Sequence, residues 1–178
     1  MKHLILEATL DDVPELEFLI ALSARELARP YYTAEQIDAA LGSAWGVDTQ
    51  LIRDRTYFVV RQSGVLVACG GWSKRKALFG ADALTRGEPE LLDPQHDSAR
   101  IRAFFVHPNW ARQGLGKALL ERCEAEARSA GFQSAELVAT LSGQPLYAAY
   151  GYAAQIPKEY SLRDGIHITF VPMRKERL

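Results

Sequence analysis

Apolar residues along this chain follow two rhythms. Val13, Leu16, Leu19 and Ile20 recur at helical spacing, as do Leu115, Ala118, Leu119, Cys123 and Ala127, and each set predicts a helix that buries one stripe. Thr56 to Arg61 and Val65 to Trp72 are instead dense in β-branched and aromatic residues, which predicts two strands joined by a turn at Gln62-Ser63-Gly64. Polar residues set the boundaries. Thr9 caps the first helix, whose first turn holds Asp11, Asp12 and Glu15 at the positive end of the dipole and tolerates Pro14; Arg29-Pro30 stops it. Thr33 and Gln36 form a capping-box pattern for a second helix that ends near Leu41-Gly42. The long later helix runs from about Gly114 to Ala130 and is closed by Gly131.

Shorter elements complete the reading. Strands are expected at His3 to Ala8, Arg100 to Val106, Glu136 to Ala139, Tyr152 to Ser161 and His167 to Met173, with a short helix over Gly143 to Tyr150. Lys74 to Ser98, with Gly80, Gly87, Pro89 and Pro94, predicts a long loop of the kind that carries function or moves. This order predicts an α/β or α+β sheet with helices packed on it, in a single domain over residues 1–178.

Composition narrows the partners. A formal net charge of -1 gives no overall attraction to nucleic acid or to an anionic membrane. Cys69 and Cys123 lie in a strand-like run and a helix pattern, which predicts buried free thiols, and no Cys/His spacing suits a metal. No leader segment and no apolar run of about 18 residues is visible, so the cytoplasm is the expected location.

The most informative segment is Ile101 to Leu120. A strand runs into His107-Pro108-Asn109 and then into Arg112-Gln113-Gly114-Leu115-Gly116-Lys117 at the head of a helix. Glycines there let backbone approach a ligand, and the first helical amides point outward without internal partners. With the dipole they make an anion site suited to phosphate, and Arg112 and Lys117 add charge. The P-loop pattern fails, with Ala111 five residues before Gly116 and Ala118 after Lys117; the dinucleotide pattern fails at Leu119.

This segment resembles the acyl-CoA motif of the GNAT superfamily of N-acetyltransferases, [Q/R]-x-x-G-x-[G/A], on Ala111 to Gly116. Ala111 departs from the motif, and both glycines match. Val106-His107-Pro108 matches the strand end before the motif, Leu146-Tyr147-Ala148-Ala149-Tyr150-Gly151-Tyr152 resembles F-Y-x-x-x-G-F, and Pro172 to Lys175 resembles the last strand. The resemblance implies a mixed, mostly antiparallel twisted sheet of about six to seven strands, helices on both faces, and a splay between the fourth and fifth strands.

It also implies acetyl-CoA as co-substrate, no metal, and transfer to a small-molecule or peptide amine; a homodimer is an assembly common among relatives. Pantetheine would pair with main chain at Phe105, Val106 and His107, and pyrophosphate would meet Arg112, Gln113, Gly114, Leu115, Gly116 and Lys117. Tyr147 matches the family's general acid at the leaving thiolate, and a strand N–H near Val106 would face the oxyanion. Glu136, His107, Glu7 or a water are the candidate bases. Arg100, Arg102 and Phe104 are expected on one strand face, where the arginines either meet an anionic acceptor or pair with nearby acids. Tyr31-Tyr32 is expected near the acceptor, Gly70-Gly71 marks a bulge or a close approach, and Lys74-Arg75-Lys76 is either solvated charge or a contact for the 3′-phosphate of CoA. The competing reading is a non-catalytic acyl-CoA-binding module on the same fold.

Overall fold

The computed structural model describes residues 3–77 and 88–178. In chain order, β1 (Ile5–Glu7) leads through a 3-10 turn into α1 (Val13–Leu27), α2 (Ala34–Ala40) and α3 (Thr49–Arg53). β2 (Tyr57–Gln62), β3 (Val65–Ser73) and β4 (Ala99–Val106) precede α4 (Leu115–Ser129), β5 (Ala135–Ala139) and α5 (Gln144–Ala149). β6 (Ala153–Ala154), β7 (Lys158–Ser161) and β8 (His167–Lys175) follow. The strands form one eight-stranded sheet in the order β1-β2-β3-β4-β5-β8-β6, with β7 also paired to β8. Every pairing is antiparallel except β4 with β5.

Alternation along β2 divides the core between the two sheet faces. Tyr57 and Val59 pack with Leu16, Leu19, Ile20 and Leu51 on the α1–α3 face. Phe58 and Val60 pack with Leu115, Leu119, Leu120 and Cys123 on the α4 face. Each fully buried leucine or isoleucine contributes about 1.5–3 kcal/mol, so these two layers hold the helices against the sheet. Local chemistry fixes the ends. Thr33 and Gln36 close a capping box, with Thr33 Oγ1 accepting from the Gln36 amide at 3.2 Å and Gln36 Oε1 accepting from the Thr33 amide at 3.0 Å. Ser63 and Gly64 both take positive φ, the two-residue turn whose twist suits a hairpin.

Three elements differ from the sequence expectation. α3 was not visible because five residues are too few for periodicity; Asp48 nucleates it by accepting from the Gln50 amide at 3.0 Å. The expected strand Tyr152 to Ser161 is split into β6 and β7, since Pro157 has no N–H to give the ladder, and this raises the strand count to eight. The first strand is shorter, Ile5–Glu7 rather than His3 to Ala8. Part of the expected loop Lys74 to Ser98 lies outside the described residues. Its ends are tied together by amides of Lys76 to Glu90 O (2.9 Å) and Leu92 to Lys74 O (2.8 Å). Cys69 and Cys123 are buried free thiols. Among the described residues no helix is long and apolar enough to cross a membrane.

Candidate active site

β4 and β5 pair only at Ala99–Ala135 and Arg100–Glu136, and beyond that point the strands separate. A bulge in β4 lies at the start of the separation. Phe105 pairs with Cys69 and Arg102 with Gly71, so Ala103 and Phe104 together oppose Gly70, and Ala103 takes φ +58°. The Ala103 carbonyl accepts from the Tyr57 hydroxyl at 3.4 Å and from the Cys69 thiol at 3.8 Å. Burial drives Tyr57 well above its usual pKa and Cys69 up to about 12, so both remain protonated donors behind the bulge. The extra residue also reverses the alternation. Phe104 packs on the α4 face with Ile101, whereas Arg102 pairs with Asp48 and Phe105 packs on the α1 face. The expectation that Phe104 shares a face with Arg100 and Arg102 is corrected by this bulge.

A cleft of about 800 Å³ passes through the gap. Its α4 side is walled by Phe104, Arg112, Gly114, Leu115, Gly116, Lys117, Leu146, Tyr147 and Tyr150. Its α1 side is walled by Ser23, Leu27, Tyr31, Trp45, Phe105 and Phe170, and Val106 lines it as well. Gly114 caps α4 at φ +84°, a conformation that favours glycine, and Arg112 before it has φ +64°. The first helical bond is Ala118 N–H to Gly114 O at 3.0 Å, which leaves the amides of Leu115, Gly116 and Lys117 without a partner inside the helix. A Cβ on Gly116 would stand 3.0 Å from Leu146 Cδ2, so glycine there lets the head of α4 meet α5. These amides, the helix dipole and the two cations suit a pyrophosphate.

The structure brings Phe105, Val106, Arg112, Gly114, Leu115, Gly116, Lys117 and Tyr147 to one cleft. His107 and Gln113 do not line it. The His107 amide donates to Val67 O at 2.8 Å and its carbonyl accepts from the Trp110 amide at 2.9 Å. Its ring accepts from the Asn109 amide at 3.2 Å and stacks edge-on against Trp110, with centroids 4.6 Å apart. The Gln113 side chain donates to Asn109 O at 3.1 Å.

Tyr147 is 8% exposed, edge-on to Phe104 at 6.0 Å and to Tyr152 at 5.9 Å. Among the described residues its hydroxyl has no hydrogen-bond partner. Burial, then the nearby Cys123 thiol, pushes its pKa well above the usual range, so the phenol stays protonated.

The other expected residues are engaged in ion pairs. Arg100 pairs with Glu136 on the adjacent strand. Arg102 pairs with Asp48 at 2.8 Å with both side chains at most 5% exposed, so the acid-pairing alternative holds for both arginines. Arg75 is neither solvated nor directed at a ligand. It donates to Asp54 at 2.6 and 2.9 Å, and it pairs with Glu88 at 2.5 Å. Lys76 pairs with Glu90 at 2.8 Å. Two of the candidate bases are also committed, Glu136 to Arg100 and Arg174, and Glu7 to Arg55. Among the described residues lining the cleft there is no carboxylate and no imidazole. Ser23, Trp45 and Phe170 are wall residues that sequence reasoning did not single out. In the sequence their positions are indistinguishable from ordinary core.

The sequence profile of the acetyltransferase (GNAT) domain matches residues 85–177, more than half of the chain. No curated protein sequence matches it. Among solved structures, a GCN5-related N-acetyltransferase from Rhodopseudomonas palustris superposes with a TM-score of 0.73 at 17% identity, covering 99% of this chain and 96% of that one. The PaiA N-acetyltransferase from Thermoplasma acidophilum, in complex with coenzyme A, gives 0.64 at 13% identity over 99% of both chains. YncA from Salmonella typhimurium, with its cofactor acetyl-CoA, gives 0.64 at 17% identity over 99% of this chain and 94% of that one. At these identities the structures establish the fold alone, and it is the profile, on the segment that builds the splay and the glycine turn, by which this chain belongs to the GNAT acetyltransferase family.

Proposed function

We propose that the protein moves an acetyl group from acetyl-CoA directly to an amine, with residues 1–178 acting as one catalytic domain. One observation carries this reading: a single cleft joins the free amides at the head of α4 to a buried phenol that has no hydrogen-bond partner among the described residues, at the strand gap. The neighbours solved with coenzyme A and acetyl-CoA support acetyl-CoA as the donor in this reading.

In this reading the amides of Leu115, Gly116 and Lys117, with the side chains of Arg112 and Lys117, hold the pyrophosphate. Main chain of β4 at Phe105 and Val106 pairs with the pantetheine amides as an added strand would. The amine, on a small molecule or a peptide, enters from the α1 side past Tyr31 and Trp45. Its nitrogen forms a bond to the thioester carbon, the carbonyl electron pair moves onto oxygen, and the intermediate collapses with cleavage of the C–S bond. Tyr147 gives its proton to the departing sulfur and regains one from water, and the amine's own proton leaves through water. Orientation supplies much of the rate, since attack becomes effectively unimolecular.

Two measurements test this. Acetyl-CoA should raise the thermal midpoint of the purified protein, and a panel of amines should include one that releases free CoA thiol. Absence of any protection by acetyl-CoA overturns the assignment of the cleft. Protection without thiol release for any amine favours the non-catalytic binding module.

A further inference from the structure

We propose that Ser23 is a catalytic residue, its hydroxyl donating to the thioester oxygen during transfer; this rests on the acetyl-CoA reading of the cleft. The strand amide expected to face that oxygen is Val106 N–H. In the structure it donates to Ser23 Oγ on α1 at 3.3 Å. Ser23 is 5% exposed and lines the cleft, on the wall opposite Tyr147. A serine within a helix ordinarily gives its proton to the carbonyl four residues back, as Ser129 does to Ala125 O at 2.9 Å in α4. Ser23 makes no such bond among the described residues. Its oxygen accepts from the strand, and among the described residues its proton has no acceptor, which leaves the O–H free to donate to whatever fills the gap between β4 and β5.

This arrangement divides the work between two walls. When the amine nitrogen bonds to the carbonyl carbon, the π pair moves to oxygen, and a donor already polarised by Val106 N–H meets the new charge. On collapse the C–S bond breaks, and the sulfur takes its proton from Tyr147 on the opposite wall. Neither residue forms a covalent bond, and every proton returns from water.

The test uses the full chain, acetyl-CoA and an amine that supports thiol release. Ser23→Ala should lower kcat about 10- to 100-fold, less than a bare loss of an oxyanion donor because Val106 N–H is freed to replace it in part. KM for acetyl-CoA and thermal protection by CoA should change less than about twofold, and Ser23→Thr, which keeps the hydroxyl, should retain most of the rate. The carbonyl stretch of bound acetyl-CoA should lie at lower frequency in the wild type than in Ser23→Ala. An unchanged or raised kcat in Ser23→Ala, or an identical carbonyl stretch in both proteins, overturns the proposal while leaving the acetyltransferase reading intact. Wild-type protein that binds no acetyl-CoA overturns both.

Discussion

Two adjacent glycines in β3 allow a test of how the sheet builds the site. Gly70 and Gly71 both have backbone angles open to alanine, so the added methyl acts through space alone. At Gly71 a Cβ would stand 2.7 Å from the Thr56 carbonyl oxygen, which already accepts from the Trp72 amide at 3.0 Å. Backbone inside a paired sheet cannot yield locally. Gly71→Ala should therefore cost about 3 kcal/mol, the upper end for overpacking, and lower the thermal midpoint by roughly 6–12 °C. At Gly70 the methyl would stand 2.8 Å from the Phe104 ring, a side chain facing the cleft and packed on Tyr147. That ring can rotate away, so Gly70→Ala should cost only about 1 kcal/mol. The relief moves Phe104 toward the cleft and disturbs Tyr147, and thiol release should fall about 10- to 100-fold. Urea denaturation and steady-state thiol release on both variants decide the matter. If Gly70→Ala proves the less stable protein, or keeps full turnover while Gly71→Ala loses it at temperatures where both are folded, the account of the bulge and of Phe104 is refuted.

Three further outcomes are expected. Tyr147→Phe should slow thiol release by about 10²–10⁴-fold with CoA affinity nearly unchanged, as checked by steady-state kinetics and CoA titration; an unimpaired variant removes the phenol from the chemistry. Arg75→Ala should cost about 3–5 kcal/mol, because it leaves Asp54 buried without its partner, yet leave CoA affinity unaltered in a binding titration; weakened CoA binding would reinstate the basic cluster as a phosphate contact. Stability should fall at alkaline pH. Cys69 titrates near 9 when unfolded and near 12 when buried, so its contribution is full below pH 9 and is lost up to pH 12 as the unfolded state alone ionises. That gives a slope of about 1.4 kcal/mol per pH unit, and Cys69→Ala should reduce it in urea titrations between pH 9 and 11.

Local chemistry in the sequence is enough to place the helices α1, α2 and α4, the β2–β3 hairpin and the glycine turn. Capping at Thr33, the left-handed turn at Ser63-Gly64 and the left-handed cap at Gly114 depend only on neighbours a few residues away. Such contacts are written in the order of the residues, so the glycine turn at the head of α4 could be read before any packing was known. The resemblance of the segment around Tyr147 depended on spacing and was equally accessible.

What tertiary structure alone decided are the contacts between distant segments. One residue inserted opposite Gly70 reversed the faces of β4 and turned Phe104 toward the α4 side, beside the gap to β5. No periodicity announces such an insertion, because the sequence on either side alternates normally. The fates of Arg100, Arg102 and Arg75 were set by acids at Glu136, Asp48 and Asp54, positions 21 to 54 residues away along the chain. Burial at those sites makes an unpaired charge untenable, so the fold consumed cations that the sequence left available to a ligand. Ser23 shows the same limit in reverse: on its helix it is one more residue of the inward stripe, and only the approach of β4 gives it a strand amide and a wall of the cleft.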